Sequence, residues 1–200
     1  MGAEETNERI PEASPQPRAR IAGLFYLLTF LTGAFAAFLG GKMMVYSDAA
    51  SLVASACYGV VTLLFHGLFK PVDASLSLIA AAFSLAGCVL GVLGVLHFVP
   101  SYISSFNPLV LFGVYCLMIG YLILQSTFLP RILGLLMAFA GLGKLTFILP
   151  ELANYLFPYN LAPGILGEGA LTVWLLVARV NAERWRAQAG AAGQSRSWRL

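Results

Sequence analysis

Glu168 and Lys144 are the residues of this chain best placed to do chemistry, because each interrupts a run that is otherwise apolar. Lys144 sits in the run Ile132–Leu149 and Glu168 in the run Leu161–Val180. An ionisable group inside a membrane span is costly, and such groups pair with one another or mark a site. Lys144 lies five residues before the end of its run and Glu168 seven residues into its own, so at 1.5 Å per residue both sit on the order of 10 Å deep from the same side of the membrane. The connection between the runs is short, so the two helices should be antiparallel neighbours, and Glu168 and Lys144 should meet or share a water-filled cavity. Three readings follow. The pair could be a proton- or ion-coupled site, an anchor for a polar ligand, or a buried ion pair that fixes the register of two helices. A lysine at this depth could also snorkel to the headgroups.

His97 and Asn107 belong to the same end of the molecule and complete a candidate polar pocket with Glu168 and Lys144. His66 lies near the opposite face with Lys70 and Gln125. A zinc site needs three or four ligands, and the two histidines of the chain fall at opposite ends of the bilayer, so no metal is expected. Cys57, Cys88 and Cys116 each sit in an apolar run without a CxxC partner and read as small hydrophobes. Catalytic residues are not expected: there is no GxSxG, and no histidine stands at an obvious matching depth for the serines. Gly164, Gly167 and Gly169 lack the GKS/T ending of a phosphate loop and read as helix-packing residues. No cofactor motif is present.

The elements that carry these residues follow from composition. Of 200 residues, 59% are hydrophobic and only 10% charged, against about 25% charged in a soluble domain. That leaves too little polar surface to cover so apolar a core in water. The predicted fold is all-α, a bundle of six transmembrane helices at about 21–41, 49–69, 74–99, 109–129, 132–149 and 161–180. Residues 1–20 read as a disordered tail and 181–200 as a basic tail. The first run is expected to be retained rather than cleaved as a signal, since it is long enough to span and five more follow. Asp73, after Lys70-Pro71, should cap the third helix. Gly33, Ala37 and Gly41 share one face, as do Gly87 and Gly91, and either face could bring a second copy close. The inner turns at Phe69-Lys70-Pro71 and Phe128-Leu129-Pro130 hint at a repeat of two parallel hairpins.

Six spans put both termini on one side. Placing them in the cytoplasm puts Arg9, Arg18, Arg20, Lys70, Arg131, Arg179, Arg184, Arg186, Arg196 and Arg199 inside, with only Lys42 and Lys144 in the outer half. The positive-inside rule selects that orientation. The net charge of +3 has no basic stripe with interleaved aromatics, which excludes a nucleic-acid partner. Membrane lipids are the expected partners, with Arg131, Lys70 and Arg20 as inner-face headgroup contacts. Tyr102, Phe106, Tyr155, Phe157 and Tyr159 suit an interfacial aromatic belt.

Several blocks carry a family resemblance. They are Arg20-Ile-Ala-Gly-Leu-Phe-Tyr-Leu-Leu-Thr, Leu68-Phe-Lys-Pro-Val-Asp-Ala-Ser-Leu-Ser-Leu, Phe128-Leu-Pro-Arg-Ile-Leu-Gly, Ala140-Gly-Leu-Gly and Gly167-Glu-Gly-Ala-Leu-Thr-Val-Trp-Leu-Leu. Together, over about residues 20–180, the chain resembles the bacterial membrane proteins grouped as domain of unknown function 4386. The resemblance implies a six-helix inner-membrane protein and no assigned activity. Asp73 stands where the family usually has asparagine, and Lys144 where it usually has an aromatic, so a role for that lysine would be local to this chain. The functional expectation is a non-enzymatic membrane protein with an outer-facing polar pocket for a lipid or small amphiphile. The alternative is a compact transporter or channel using Glu168 and Lys144, with an intramembrane enzyme behind both.

Overall fold

The computed structural model describes residues 15–39, 43–98, 106–178 and 180–197, and these residues are helical with short connections. The helices are α1 (Pro15–Leu39), α2 (Met44–Phe69), α3 (Ala74–Val95), α4 (Leu109–Gln125), α5 (Arg131–Leu145), α6 (Pro150–Leu156), α7 (Ala162–Val177) and α8 (Ala182–Ser197). Short 3-10 turns, Thr146–Ile148 and Tyr159–Leu161, flank α6. Helices are what an apolar chain must form in lipid, where no water is present to satisfy backbone groups left unpaired.

Five segments are long and apolar enough to cross a membrane: Pro15–Phe38, Met44–Phe69, Ala74–Val95, Arg131–Ile148 and Tyr159–Val177. The sixth, α4, is apolar and has 17 residues, at the lower end of the usual span length of about 17–25. The chain is a multi-pass helical membrane protein.

The six long helices form a closed ring in chain order, with α7 returning to pack on α1. Facing residues show that neighbours run antiparallel. Gly113 faces Gly141 and Gly120 faces Gly134 across α4 and α5. Thr62 meets Ser84, and His66 meets Ser77, across α2 and α3. Gly23 packs on Leu175 and Leu176 across α1 and α7. An even number of alternating helices can close this way without leaving an unpartnered seam.

The α4–α5 seam is closely packed along its length. Cβ atoms built on Gly120 and Gly134 would lie 2.8 and 2.7 Å from the carbonyl oxygen of the facing glycine. The four glycines recur every seven residues on each helix, two turns apart, so one face of each helix stays free of side chains.

The helix limits differ from those expected at several points. The first helix begins at Pro15, inside the stretch read as a disordered tail. Pro15 and Pro17 fall in its first turn, where the backbone N–H groups have no intrahelical partner and proline costs little. Residues 1–14 lie outside the described residues, as do Lys42, Gly41, Tyr102 and Arg179. The stretch read as a basic tail instead forms α8. Asn181 caps it, its Oδ1 accepting from Arg184 N–H at 3.0 Å, and Trp185 pins it to the bundle by donating to the Leu68 carbonyl at 2.9 Å. The third helix stops at Val95 rather than 99, and the fourth at Gln125 rather than 129.

The two ends of the bundle differ in charge. The basal end, which holds Pro15, the turn at 70–73, the turn at 126–130 and α8, exposes Arg18, Arg20, Lys70, Arg131, Arg184 and Arg186 beside Asp73 and Glu183. The distal end carries Asp48 and Glu151, and among the described residues it exposes no lysine or arginine. Phe106, Tyr155, Phe157 and Tyr159 are exposed there, where aromatic rings suit a membrane–water interface.

Candidate functional site

The structure brings Lys144 and Glu168 together. Both are buried, and Lys144 Nζ lies 2.6 Å from Glu168 Oε1. Their helices are neighbours because the α5–α7 seam is lined with small residues. Gly143 faces the Asn160 carbonyl and Pro163, Gly164 faces the Lys144 stem, and a Cβ on Gly167 would run into the Leu136 carbonyl oxygen. Asn160 is itself buried and steadies the connection by donating to Thr146 Oγ1 at 3.2 Å and to the Ala153 carbonyl at 3.4 Å.

Two further side chains complete the site. Tyr58 Oη donates to Glu168 Oε1 at 2.7 Å, and Cys116 Sγ lies 3.4 Å from the same oxygen and 3.6 Å from Lys144 Nζ. Tyr26 Oη is 3.5 Å from Tyr58 Oη, with the rings edge to face. The pair is thus held by residues of α1, α2 and α4 as well as by its own helices. Composition hid this, since a tyrosine and a cysteine in apolar runs read as packing residues. One signal was available in the spacing: Tyr58, Thr62 and His66 recur every four residues and so share one face of α2. Along that face Thr62 Oγ1 meets Ser84 Oγ at 2.6 Å and His66 Nδ1 meets Ser77 Oγ at 3.0 Å.

His97 and Asn107 do not join the pair, and neither lines the cavity beside it. His97 ends α3 in the left-handed backbone region, with φ 57°. Phe98 N–H reaches back to the Leu93 carbonyl at 2.9 Å and His97 N–H to the Gly94 carbonyl at 3.2 Å, the bonding of a helix that stops in a left-handed residue. Asn107 Oδ1 accepts from Leu109 N–H at 2.9 Å and starts α4. Both polar residues serve the local backbone. Asp73 caps α3 by accepting from Leu76 N–H at 2.9 Å. Arg131, Lys70 and Arg20 are exposed at the basal end. Gly87 packs on Phe112 and Gly91 near Ser55 of the same bundle, so that face is occupied internally.

A cavity of about 400 Å³ lies against the pair. Tyr26, Thr29, Phe30, Gly33 and Ala34 of α1 line one side, and Leu161, Gly164, Ile165 and Glu168 the other, with Tyr58, Leu109 and Lys144. Its walls are chiefly apolar, and its polar groups gather at Lys144, Glu168 and the two tyrosines. Nothing lies within 4 Å of a Cβ built on Gly33. Toward the basal end the bundle is filled by Phe65, Leu68, Phe69, Leu122, Ile123, Met137, Leu171 and Leu175, each fully or almost fully buried.

A multi-pass helical bundle with one charged pair beside an apolar cavity is therefore the class of protein that the fold and site define. Residues 101–178 match the model of the family described as Domain of unknown function (DUF4386), so the family resemblance is shown over that stretch. It spans Cys116, Lys144 and Glu168 but not Tyr26, Gly33 or Tyr58. No curated protein and no solved structure is detectably similar to the chain.

Proposed function

We propose that this protein is a non-enzymatic binding protein of the bacterial inner membrane that holds a small amphiphile in the cavity between α1 and α7. The observation that carries this reading is the form of the cavity: apolar walls ending at a single charged pair, within the helical bundle. Its volume sits at the low end of the range for small-molecule sites, about 300–1,000 Å³. The exposed cations of the basal end support an orientation with both described chain ends toward the cytoplasm, which puts the cavity in the outer half.

Ion-coupled transport through the same pair is the second reading. It draws on the hydroxyls and histidine that continue along α2 toward the basal end. Against it stands the apolar packing of that end, where Phe65, Phe69 and Met137 are buried.

The test is native mass spectrometry of the full chain released from nonionic detergent, with Gly33→Leu alongside. The wild type should carry a bound amphiphile that the variant lacks, because the leucine side chain occupies the open space at Gly33. Equal retention by both proteins sinks the reading.

A further inference from the structure

The polar end of the cavity has a countable hydrogen-bonding capacity. Glu168 Oε1 receives Lys144 Nζ at 2.6 Å, Tyr58 Oη at 2.7 Å and Cys116 Sγ at 3.4 Å. A carboxylate oxygen offers about two lone-pair sites, so Oε1 is fully engaged. The Tyr26 hydroxyl also serves the carboxylate as a hydrogen-bond partner. The lysine ammonium has three N–H donors, and Glu168 and Cys116 account for two of them. The pair is not sealed: the Lys144 and Glu168 side chains keep 11% and 8% of their surface exposed, and both line the cavity. One lysine N–H is left for whatever fills it, beside the Glu168 carboxylate and the Tyr26 and Tyr58 hydroxyls that line the same cavity.

As a unit the pair is neutral. A charged head seated against it would bring an unbalanced charge into an apolar wall, which is costly without a counter-charge. A hydroxyl or primary amide brings no charge and offers both a donor and an acceptor. We propose that the cavity selects a single-chain amphiphile with an uncharged head of that kind. The head accepts from Lys144 Nζ beside the Glu168 carboxylate and the Tyr26 hydroxyl, and the chain lies along Phe30, Gly33 and Ile165. This rests on the amphiphile-binding reading above and adds the ligand class to it.

The experiment is equilibrium dialysis of the full chain in phospholipid nanodiscs freed of detergent, with radiolabelled decanol as the probe. Decyl sulfate and decyltrimethylammonium, whose charges are permanent, are the competitors. Decanol should bind saturably to the wild type, and both charged congeners should compete about tenfold or more weakly than unlabelled decanol. If either competes as well as decanol, the uncharged-head proposal is overturned while the cavity reading stands. Gly33→Leu should abolish saturable binding, and Ala34→Leu provides the same test from the next residue if the first variant does not fold. Absence of saturable binding to the wild type, or full binding in both variants that fold, overturns the cavity reading and this proposal with it.

Discussion

The α4–α5 seam and the α1–α7 wall are both antiparallel helix contacts with glycine at the interface, and they use it in opposite ways. In the first, Gly113, Gly120, Gly134 and Gly141 let two backbones approach until any side chain would collide with a carbonyl. In the second, Gly33 borders empty space, and the gap beside it holds the charged pair. Lipid offers no hydrophobic drive between helices, so association rests on packing and polar contacts. The close seam supplies packing. The open wall relies on α7 being held from its other side, through Lys144 and the small residues of α5.

The largest expected effect breaks the open side. Lys144→Met alone leaves Glu168 buried without its cation and should destabilise the protein by about 3–5 kcal/mol, measured by equilibrium unfolding in mixed micelles. Adding Glu168→Gln should recover most of that loss, and a double variant no more stable than the single one would show that the pair does not act as a unit.

Next comes the close seam. Gly120→Ala puts a methyl 2.8 Å from the Gly134 carbonyl oxygen and 2.9 Å from Ala138 N. Both are backbone atoms that cannot swing aside, so about 1–3 kcal/mol should be lost in the same assay. Tyr58→Phe keeps the ring contacts but removes one donor from Glu168, and should cost about 1–2 kcal/mol. The smallest effect is the sharpest contrast: Gly33→Ala should be neutral or stabilising by up to about 1 kcal/mol, since alanine reduces the entropy of the unfolded helix and meets nothing. Equal losses at Gly33 and Gly120 would erase the distinction between the two interfaces.

Much of this was legible in the sequence because membranes impose long, uniform signals. The six helices follow from run length. The meeting of Lys144 and Glu168 follows from equal depth on helices joined by a short connection. What depth cannot give is rotation about the helix axis. Gly113 and Gly120 are visible as small residues, but their pairing with Gly141 and Gly134 depends on which faces turn toward each other. The same gap hid Tyr58 and Cys116. His97 and Asn107 mislead for another reason: their backbone positions at helix ends claim them locally. The helix at 182–197 was missed because its polar composition resembles a tail, and its anchor, Trp185 on the Leu68 carbonyl, spans 117 positions of sequence.

The 24-residue separation of Lys144 and Glu168 has a consequence for biogenesis. If the helices insert in chain order, Lys144 enters the bilayer while its carboxylate partner is still inside the ribosome. During that interval its long stem can carry the ammonium toward the headgroups, and the α4–α5 hairpin, already locked by its glycines, holds the lysine waiting. Nascent chains stalled before and after α7 report this directly: with Lys42 and Lys70 replaced by arginine, the Lys144 amine should react with a water-soluble amine-directed ester in the shorter chain and be protected in the longer one. Equal reactivity would contradict the order. Insertion of α7 is then the event that withdraws the charge from water and closes the ring.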